Sequence, residues 1–185
     1  AEADVARESQ VGNLLPANVA TGTDALATTA GFTIIAPSTG ASQTDNVISG
    51  TRSFKVTSGA AGTMQFTTAL LSVADAAGTA FTFAAKVHPL FAGATGYIIL
   101  QFYGPGTTFL SHAQTSPVAL TESATARIQV AATAPAGTTA ILCRAYVSNS
   151  GAGQAVVTDE WTLHRGVSGD WQPPGVPITG LIASP

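Results

Sequence analysis

The chain has 185 residues, of which only 9% are charged, against about a quarter in an ordinary soluble domain. A formal net charge of −3 with seven scattered Lys and Arg residues excludes a basic nucleic-acid surface and a polybasic membrane patch. The apolar runs are also too short to cross a bilayer. From the charge and the apolar runs together we expect no nucleic-acid partner and no membrane partner.

Residues 1–12 form the first segment in chain order. Four charges fall within its first eight residues, with acids at the end where a helix dipole prefers them. Two helical turns are not stable alone in water, so we predict an N-terminal arm that is frayed or docked on a partner. No signal-peptide pattern opens the sequence. That leaves two interpretations, synthesis without export or a mature fragment of an exported protein.

Residues 13–166 alternate short apolar stretches with Gly, Pro and Asn turns, which is typical of an all-β domain. At Phe81, Phe83 and Val87 the alternation is clean, whereas residues 96–103 are apolar on both faces, as in a central strand. The Ala-rich residues 70–80 leave room for one helical turn. We predict an antiparallel β-sandwich of eight to ten strands, over residues 32–38, 51–57, 64–73, 81–88, 96–103, 107–113, 127–133, 139–148 and 156–164.

Residues 167–185 form a third segment, rich in proline. Pro173, Pro174 and Pro177 lack the amide donor that a central strand needs, so an extended, polyproline-like C-terminal arm is predicted. The apolar tail after it lies on a partner surface or is disordered. The predicted organisation is an N-terminal arm (1–12), a β-sandwich (13–166) and a C-terminal arm (167–185).

The residue pattern argues against catalysis. Glycoside hydrolysis needs two carboxyl groups about 5–10 Å apart, and only Asp159 and Glu160 are adjacent. Regular strand alternation would put them on opposite faces. Cys143, the only cysteine, sits in an apolar strand and is predicted to be a small core residue. We expect no enzyme activity and no cofactor; three histidines lack metal-ligand spacing: His88, His112 and His164.

Sugar binding is the remaining chemistry, because aromatic rings pack on sugar rings while a few polar groups fix the hydroxyls. Alternation places Tyr97, Gln101 and Tyr103 on one face of their strand. Arg144 and Tyr146 share a face of another strand. If the two faces align, these five residues form one glycan-binding surface; Trp161 is a further candidate aromatic. The alternative is that the tyrosines cap the edge of the core, with their hydroxyls in water.

A series of short motifs resembles a known family. The motifs are Asn13-Leu14-Leu15, Gly50-Thr51-Arg52-Ser53-Phe54-Lys55-Val56, Phe81-Thr82-Phe83-Ala84-Ala85-Lys86-Val87, Arg127-Ile128-Gln129-Val130, Ala134-Pro135-Ala136-Gly137-Thr138-Thr139 and Val157-Thr158-Asp159-Glu160-Trp161-Thr162-Leu163. Their order resembles the carbohydrate-binding-module, galactose-binding-like jelly rolls. Such domains occur in secreted polysaccharide-degrading enzymes and in tail and other virion proteins of actinobacteriophages. The resemblance covers residues 13–166 and implies jelly-roll topology.

One departure from the family concerns calcium. The family opening usually continues to a Phe-Glu pair whose acid helps to hold a structural calcium, but here the chain reads Pro16-Ala17-Asn18-Val19-Ala20. Asp159 matches the closing acid and is the one calcium candidate left. Because alternation groups Asp159 with Val157, Trp161 and Leu163, we expect a carboxylate at the sandwich rim that accepts hydrogen bonds from backbone amides. That role is structural.

These observations lead to two main hypotheses about function, beside a third in which the chain is a surface-layer or adhesion domain with an export signal upstream of Ala1. The first is a non-enzymatic virion protein of a tailed bacteriophage, a capsid decoration, fibre or minor tail component made in the host cytoplasm. Its arms would bind other virion proteins, and its sandwich would contact host-surface glycans. The second is a carbohydrate-binding module of a secreted bacterial polysaccharide-active enzyme. Because Lys55 and Lys86 are the only lysines available to guard sheet edges, we expect a homo-oligomer, with a trimer favoured.

Overall fold

A computed structural model describes residues 13–15, 31–74 and 76–166. The two predicted arms and the departure at residues 16–20 lie outside the described residues. Within them the chain forms twelve β-strands and one short 3-10 helix, so the all-β prediction is confirmed. The described part of the chain contains no helix long and apolar enough to cross a membrane.

Ten of the strands are three to eleven residues long, and the other two have two residues each. In chain order they are β1 (Phe32–Ile34), β2 (Thr39–Gln43), β3 (Ser53–Thr57), β4 (Gly62–Thr68), β5 (Leu71–Ser72), β6 (Ala80–Pro89), β7 (Thr95–Tyr103), β8 (Phe109–Gln114), β9 (Val118–Ala119), β10 (Ala126–Thr133), β11 (Ala140–Ser150) and β12 (Ala155–Arg165). The 3-10 helix, Pro105–Thr107, lies between β7 and β8.

The strands build two antiparallel sheets that pack as a sandwich. One sheet has seven strands in the order β1-β4-β11-β7-β8, with β5 added beside β11 and β9 beside β7. The other has five strands in the order β10-β6-β12-β3-β2. The chain crosses repeatedly from one sheet to the other, and its last two strands, β11 and β12, lie inside their sheets rather than at the edges.

The hydrophobic core lies between the sheets and is centred on Trp161, which is 0% exposed. Its ring packs edge-on against Phe32 at 4.9 Å and obliquely against Phe83 at 5.0 Å and Phe66 at 5.8 Å. The indole Nε1 donates to Thr158 Oγ1 at 2.7 Å, so its one polar atom is satisfied. Burying each such ring contributes about 2–3 kcal/mol. Rings from both sheets therefore hold the two layers together.

A β-bulge interrupts β12 and changes which side chains face the core. The pairing with β6 shifts between Asp159 and Thr162, and Glu160 adopts a positive φ of 46°. Because one extra residue reverses the alternation, the predicted common face for Val157, Asp159, Trp161 and Leu163 is wrong. Trp161 and Leu163 belong to the core cluster, whereas Val157 does not.

The start of the described chain is fastened to β12 just after this bulge. Asn13 Oδ1 accepts hydrogen bonds from the amides of Leu15 and Leu163 at 3.1 and 3.0 Å. Its Nδ2 donates to Trp161 O at 2.9 Å, and Leu14 N donates to Leu163 O at 2.7 Å. Leu15 then enters the core at 3% exposure. One side chain thus ties the sandwich's first described residues to its last strand.

Most predicted strands are present, with bounds that differ by a few residues. Two strands had no counterpart in the prediction: β2, with the sequence TGASQ, and the two-residue β9. The predicted strand over residues 64–73 divides into β4 and β5. Within the described residues of 70–80 no helix forms: Leu71 and Ser72 pair with β11, and a single hydrogen-bonded turn joins Thr79 N to Ala76 O at 2.9 Å.

Candidate functional site

The solvent-facing side of the seven-stranded sheet, here called the outer face, is built around β7 and β11. These strands pair over nine residues, so their outward side chains form one surface. Core-facing positions are Ile98, Leu100 and Phe102 in β7, and Ile141, Cys143, Ala145 and Val147 in β11. The alternate positions hold all five sequence-predicted binding residues: Tyr97, Gln101, Tyr103, Arg144 and Tyr146. Their role in binding stays a prediction.

Tyr97 and Tyr146 form the centre of the outer face. They are direct cross-strand partners, and their rings stack with centroids 4.6 Å apart and planes 5° apart. Each ring therefore has one face covered by its partner ring. Only the opposite face of each ring can contact a ligand. Burial, and next the neighbouring Tyr146 hydroxyl, raise the pKa of Tyr97 above its usual value. Tyr97 is a neutral phenol at physiological pH.

Arg144 lies two residues before Tyr146 in β11 and completes what we call the tyrosine–arginine group (Tyr97, Arg144 and Tyr146). Its Nη1 donates to Tyr146 Oη at 3.1 Å, and its Cζ is 6.0 Å from the centroid of that ring. This distance is at the outer limit of a cation–π contact. All three side chains are half-buried. The group combines apolar ring surface with a cationic hydrogen-bond donor.

The other two predicted residues lie at the far end of β7. Tyr103 Oη is 3.5 Å from Gln101 Oε1, and the Tyr103 ring meets Phe109 of β8 edge-on at 5.8 Å. His112 lies 6.0 Å from the Phe109 ring. Tyr97 and Tyr103 are six residues apart in one strand, which corresponds to about 20 Å. The structure therefore divides the predicted surface into two aromatic groups.

Phe109 and His112 were not predicted as site residues. Phe109 is 49% exposed, the most open of the large apolar side chains among the described residues. Its sequence signal is an aromatic residue three positions after the turn at residues 104–106, in a strand without Asp, Glu, Lys or Arg. Trp161, by contrast, was a candidate aromatic and is wrong as one, because it is wholly enclosed in the core.

Asp159 is held by hydrogen-bond donors on both carboxyl oxygens. Oδ1 accepts from Glu160 N at 2.7 Å; Oδ2 accepts from Ser53 Oγ at 2.8 Å and from Ser49 N and Oγ at 3.2 Å. The predicted bonds to backbone amides are confirmed. The predicted rim position is wrong, because the loop between β2 and β3 covers the carboxyl and leaves it 0% exposed. Burial raises the pKa of Asp159, and the four hydrogen bonds oppose that rise.

The surroundings of Asp159 do not fit calcium. Calcium takes six to eight oxygen ligands, whereas two backbone N–H groups point at this carboxyl. No group of three metal-ligating side chains occurs in the described ranges. The adjacent acid, Glu160, is bound to Lys86 Nζ at 2.8 Å. The N–H and O–H donors around Asp159 already occupy both carboxyl oxygens, which a cation would need as ligands.

The bulge also corrects the argument about paired acids. Glu160 bonds to Lys86 and Asp159 bonds to Ser53, and both partners lie on the side of the five-stranded sheet away from the core. The two acids therefore share a face, contrary to the prediction. Both are buried, at 0% and 7% exposure, and both are engaged. Each carboxyl group is held by donors of the protein itself.

Cys143 faces the core and is 1% exposed, which confirms its prediction as a small core residue. Burial raises the pKa of its thiol, so the nucleophilic thiolate is strongly disfavoured. His88 Nδ1 lies 3.3 Å from Thr125 Oγ1, and His112 borders Phe109. The histidines remain dispersed, as the sequence indicated.

Comparison with known proteins gives likenesses of structure only. No protein-family model matches the chain, and no curated protein matches it. Among solved structures, the CBM22-1 xylan-binding domain of Xyn10C from Paenibacillus barcinonensis aligns with a TM-score of 0.60 and 16% identity. The alignment covers 84% of this chain and 96% of that domain.

Two larger proteins contain a similar unit. The enzymatically active domain of tailspike protein 4 from bacteriophage CBA120 aligns with a TM-score of 0.64 and 12% identity over 83% of this chain. An arabinose-bound GH51 α-L-arabinofuranosidase gives 0.63 and 14% identity over 84%. The chain spans only 21% and 27% of these two structures. At such identities the likeness shows the fold alone, and that fold is the jelly-roll β-sandwich of carbohydrate-binding modules.

Proposed function

We propose that this chain is a non-enzymatic domain that binds a glycan on the outer face of its seven-stranded sheet. The observation that carries the proposal is the tyrosine–arginine group, half-exposed in the middle of that sheet. Tyrosine rings offer apolar faces to the C–H surface of a sugar, and a guanidinium donates to its oxygens. The likeness to a xylan-binding domain over nearly its whole length supports the proposal.

The absence of catalysis is part of the proposal. Of the four acids in the described ranges, Asp159 and Glu160 are buried and bonded, and Asp45 and Glu122 are exposed on separate loops. No two of them offer a pair of carboxyl groups to one glycosidic bond in an open site. The outer face itself presents aromatic, amide and hydroxyl groups, which bind without transferring protons.

A binding screen with two aromatic variants tests the proposal. The wild-type chain would be passed through gels or columns carrying soluble polysaccharides, and retained ligands measured by calorimetry. We expect Tyr97→Ala to weaken binding at least tenfold, because both the ring and the stacked partner's support are lost. Phe109→Ala serves as the comparison at the far end of β7. An unchanged thermal midpoint in each variant shows that the fold is intact. Failure of the wild type to bind any polysaccharide would refute the proposal.

A second candidate places the domain in the virion of a tailed bacteriophage. The phage tailspike that contains a similar unit favours this setting. Three of the four edge strands, β1, β2 and β8, contain no Asp, Glu, Lys or Arg, so they lack the charge that normally discourages pairing with other chains; the fourth, β10, contains Arg127. In this setting the domain is a homo-oligomer, a trimer in the favoured form, whose arms bind neighbouring virion proteins. The alternative setting is a module of a secreted bacterial enzyme.

The setting is tested by location. A virion component co-purifies with particles and appears in their density at a symmetric copy number. Recovery only as a free secreted monomer would refute the virion setting and leave the glycan-binding proposal standing.

A further inference from the structure

Charge is distributed very unevenly between the two sheets. The seven strands of the larger sheet contain a single Asp, Glu, Lys or Arg residue, and that residue is Arg144. Every acid in the described ranges lies elsewhere, either in β12 of the other sheet or in loops. Six basic and four acidic residues in these ranges give a formal charge of +2, although the whole chain carries −3. Among the described residues, the strands that form the outer face thus carry one cation and no carboxylate.

The guanidinium of Arg144 has unused binding capacity. It has five N–H donors, and one of them bonds to Tyr146 Oη. Its Nε is buried without an acceptor, and the buried acid Glu160 is paired with Lys86 rather than with Arg144. A half-buried cation without a counter-ion is unfavourable, because it has lost water without gaining a partner. Arg144 is therefore prepared for an anion that the folded sheet does not supply.

The position of Arg144 selects the kind of anion. Its contact with Tyr146 places the charge beside the stacked rings, so a ligand that packs on a ring brings its substituents next to the guanidinium. A guanidinium binds a planar carboxylate through two parallel N–H donors, which an uncharged hydroxyl cannot match. Sugar rings that carry a carboxylate offer both surfaces at once.

We propose that the glycan bound on the outer face is an acidic polysaccharide, whose uronate carboxylate binds Arg144 while a sugar ring packs on the Tyr97–Tyr146 pair. This inference rests on the proposed glycan-binding function and specifies its ligand class. In this proposal Arg144 determines the preference for charged over neutral polymers. The tyrosine rings provide the part of the affinity that both kinds of polymer share.

The experiment compares one polymer in two charge states. Binding of polygalacturonate and of its fully methyl-esterified form is measured by calorimetry, with neutral xylan as a third ligand. We expect the acid form to bind at least tenfold more tightly than the ester, which corresponds to one charge-assisted bidentate contact. Added salt should weaken binding of the acid form and leave binding of the ester unchanged.

Two variants separate the site from the overall charge. Arg144→Gln should abolish the preference for the acid form, whereas Lys55→Gln, which removes one positive charge from the other sheet, should keep it. Equal binding of acid and ester by the wild type would overturn the inference and leave glycan binding intact. A preference that survives Arg144→Gln would also overturn it. The comparison of acid with ester in the wild type decides the matter even if a variant fails to fold. Binding to none of the three polymers and to no glycan in the wider screen would refute the proposed function itself.

Discussion

The buried carboxyl of Asp159 gives a prediction that can be worked through from the structure. Asn is nearly isosteric with Asp but replaces one acceptor oxygen by an NH₂ group. If the amide oxygen takes the place of Oδ2, facing Ser49 and Ser53, the NH₂ group meets the N–H of Glu160, 2.7 Å from Oδ1 in the wild type. Turning the amide over moves the conflict to the N–H of Ser49. Either way, one buried backbone donor loses its acceptor.

Such an unsatisfied donor costs about 1–3 kcal/mol. Asp159→Asn should therefore lower the free energy of unfolding by about that amount at neutral pH, and the thermal midpoint by roughly 2–12 °C for a domain of this size. Denaturant unfolding followed by tryptophan fluorescence measures the change. Glu122→Gln is the matched control, because it removes an exposed carboxylate and should change stability by less than about 0.5 kcal/mol.

The pH dependence provides a second reading of the same carboxyl. Because the pKa of Asp159 is raised in the folded chain, its ionised form is less favourable there than in the unfolded chain. The contribution of Asp159 to the free energy of unfolding is therefore fully present below about pH 4, and it declines as the pH rises through the raised pKa. Since Asn does not titrate, the stability difference between wild type and Asp159→Asn should shrink from acid to neutral pH.

Three results would refute this reasoning. A variant as stable as the Glu122→Gln control would show that the four hydrogen bonds carry no net stabilisation. A stability difference that grows with pH would mean that hydrogen bonding outweighs burial and lowers the pKa. The third result is a thermal midpoint that rises with calcium and falls with a chelator in the wild type but does neither in Asp159→Asn. It would show that Asp159 binds calcium.

Three further predictions concern the core and the start of the domain. Asn13→Ala should cost about 1–3 kcal/mol, because the amide of Leu163 loses its acceptor; an unchanged denaturation midpoint would contradict the fastening role of Asn13. Gly40→Ala should cost about 1–3 kcal/mol, because the new Cβ would lie 2.5 Å from Phe54 Cζ in a filled core; calorimetry checks this, and a stabilised variant would show that the ring moves freely. Cys143 should resist a thiol reagent in the native protein and react fully in denaturant, so rapid native labelling would contradict its burial.

The two aromatic strands show what the sequence could supply. Residues 96–103 and 139–148 were both predicted as strands, so the period of two assigned Tyr97 and Tyr146 to faces without coordinates. Their direct stacking depends on register, which is set by pairing between residues about fifty positions apart and has no local signal. The pairing of Tyr103 with Phe109 is local, since the two residues flank the turn between β7 and β8, but a register shift beside Tyr103 decides which residues meet.

The errors have local causes. The β12 alternation was continued through Glu160, because a bulge adds a residue without any characteristic composition, and this misplaced Asp159 and Val157. The strand β2 was missed because it has no apolar alternation. It forms a sheet edge, where packing against neighbours constrains the side chains only weakly. Leu71 and Ser72 fell within the predicted strand over 64–73 and also within the Ala-rich stretch that left room for a helical turn, and the structure pairs them with β11 as a strand.

The central positions of β11 and β12 have a consequence for biosynthesis. In the larger sheet β11 separates β4 from β7, and in the smaller sheet β12 separates β3 from β6. Pairs such as β2–β3 and β7–β8 can form early, but β3, β4, β6 and β7 each lack one neighbour until the ribosome has made β11 and β12. At about 5–20 residues per second, the interval between the ends of β3 and β12 is roughly 5–20 s. During that time one edge of each of these four strands is unpaired, and β4 and β7 carry no charged residue, so the nascent chain depends on chaperones or on fast release more than its finished surface suggests.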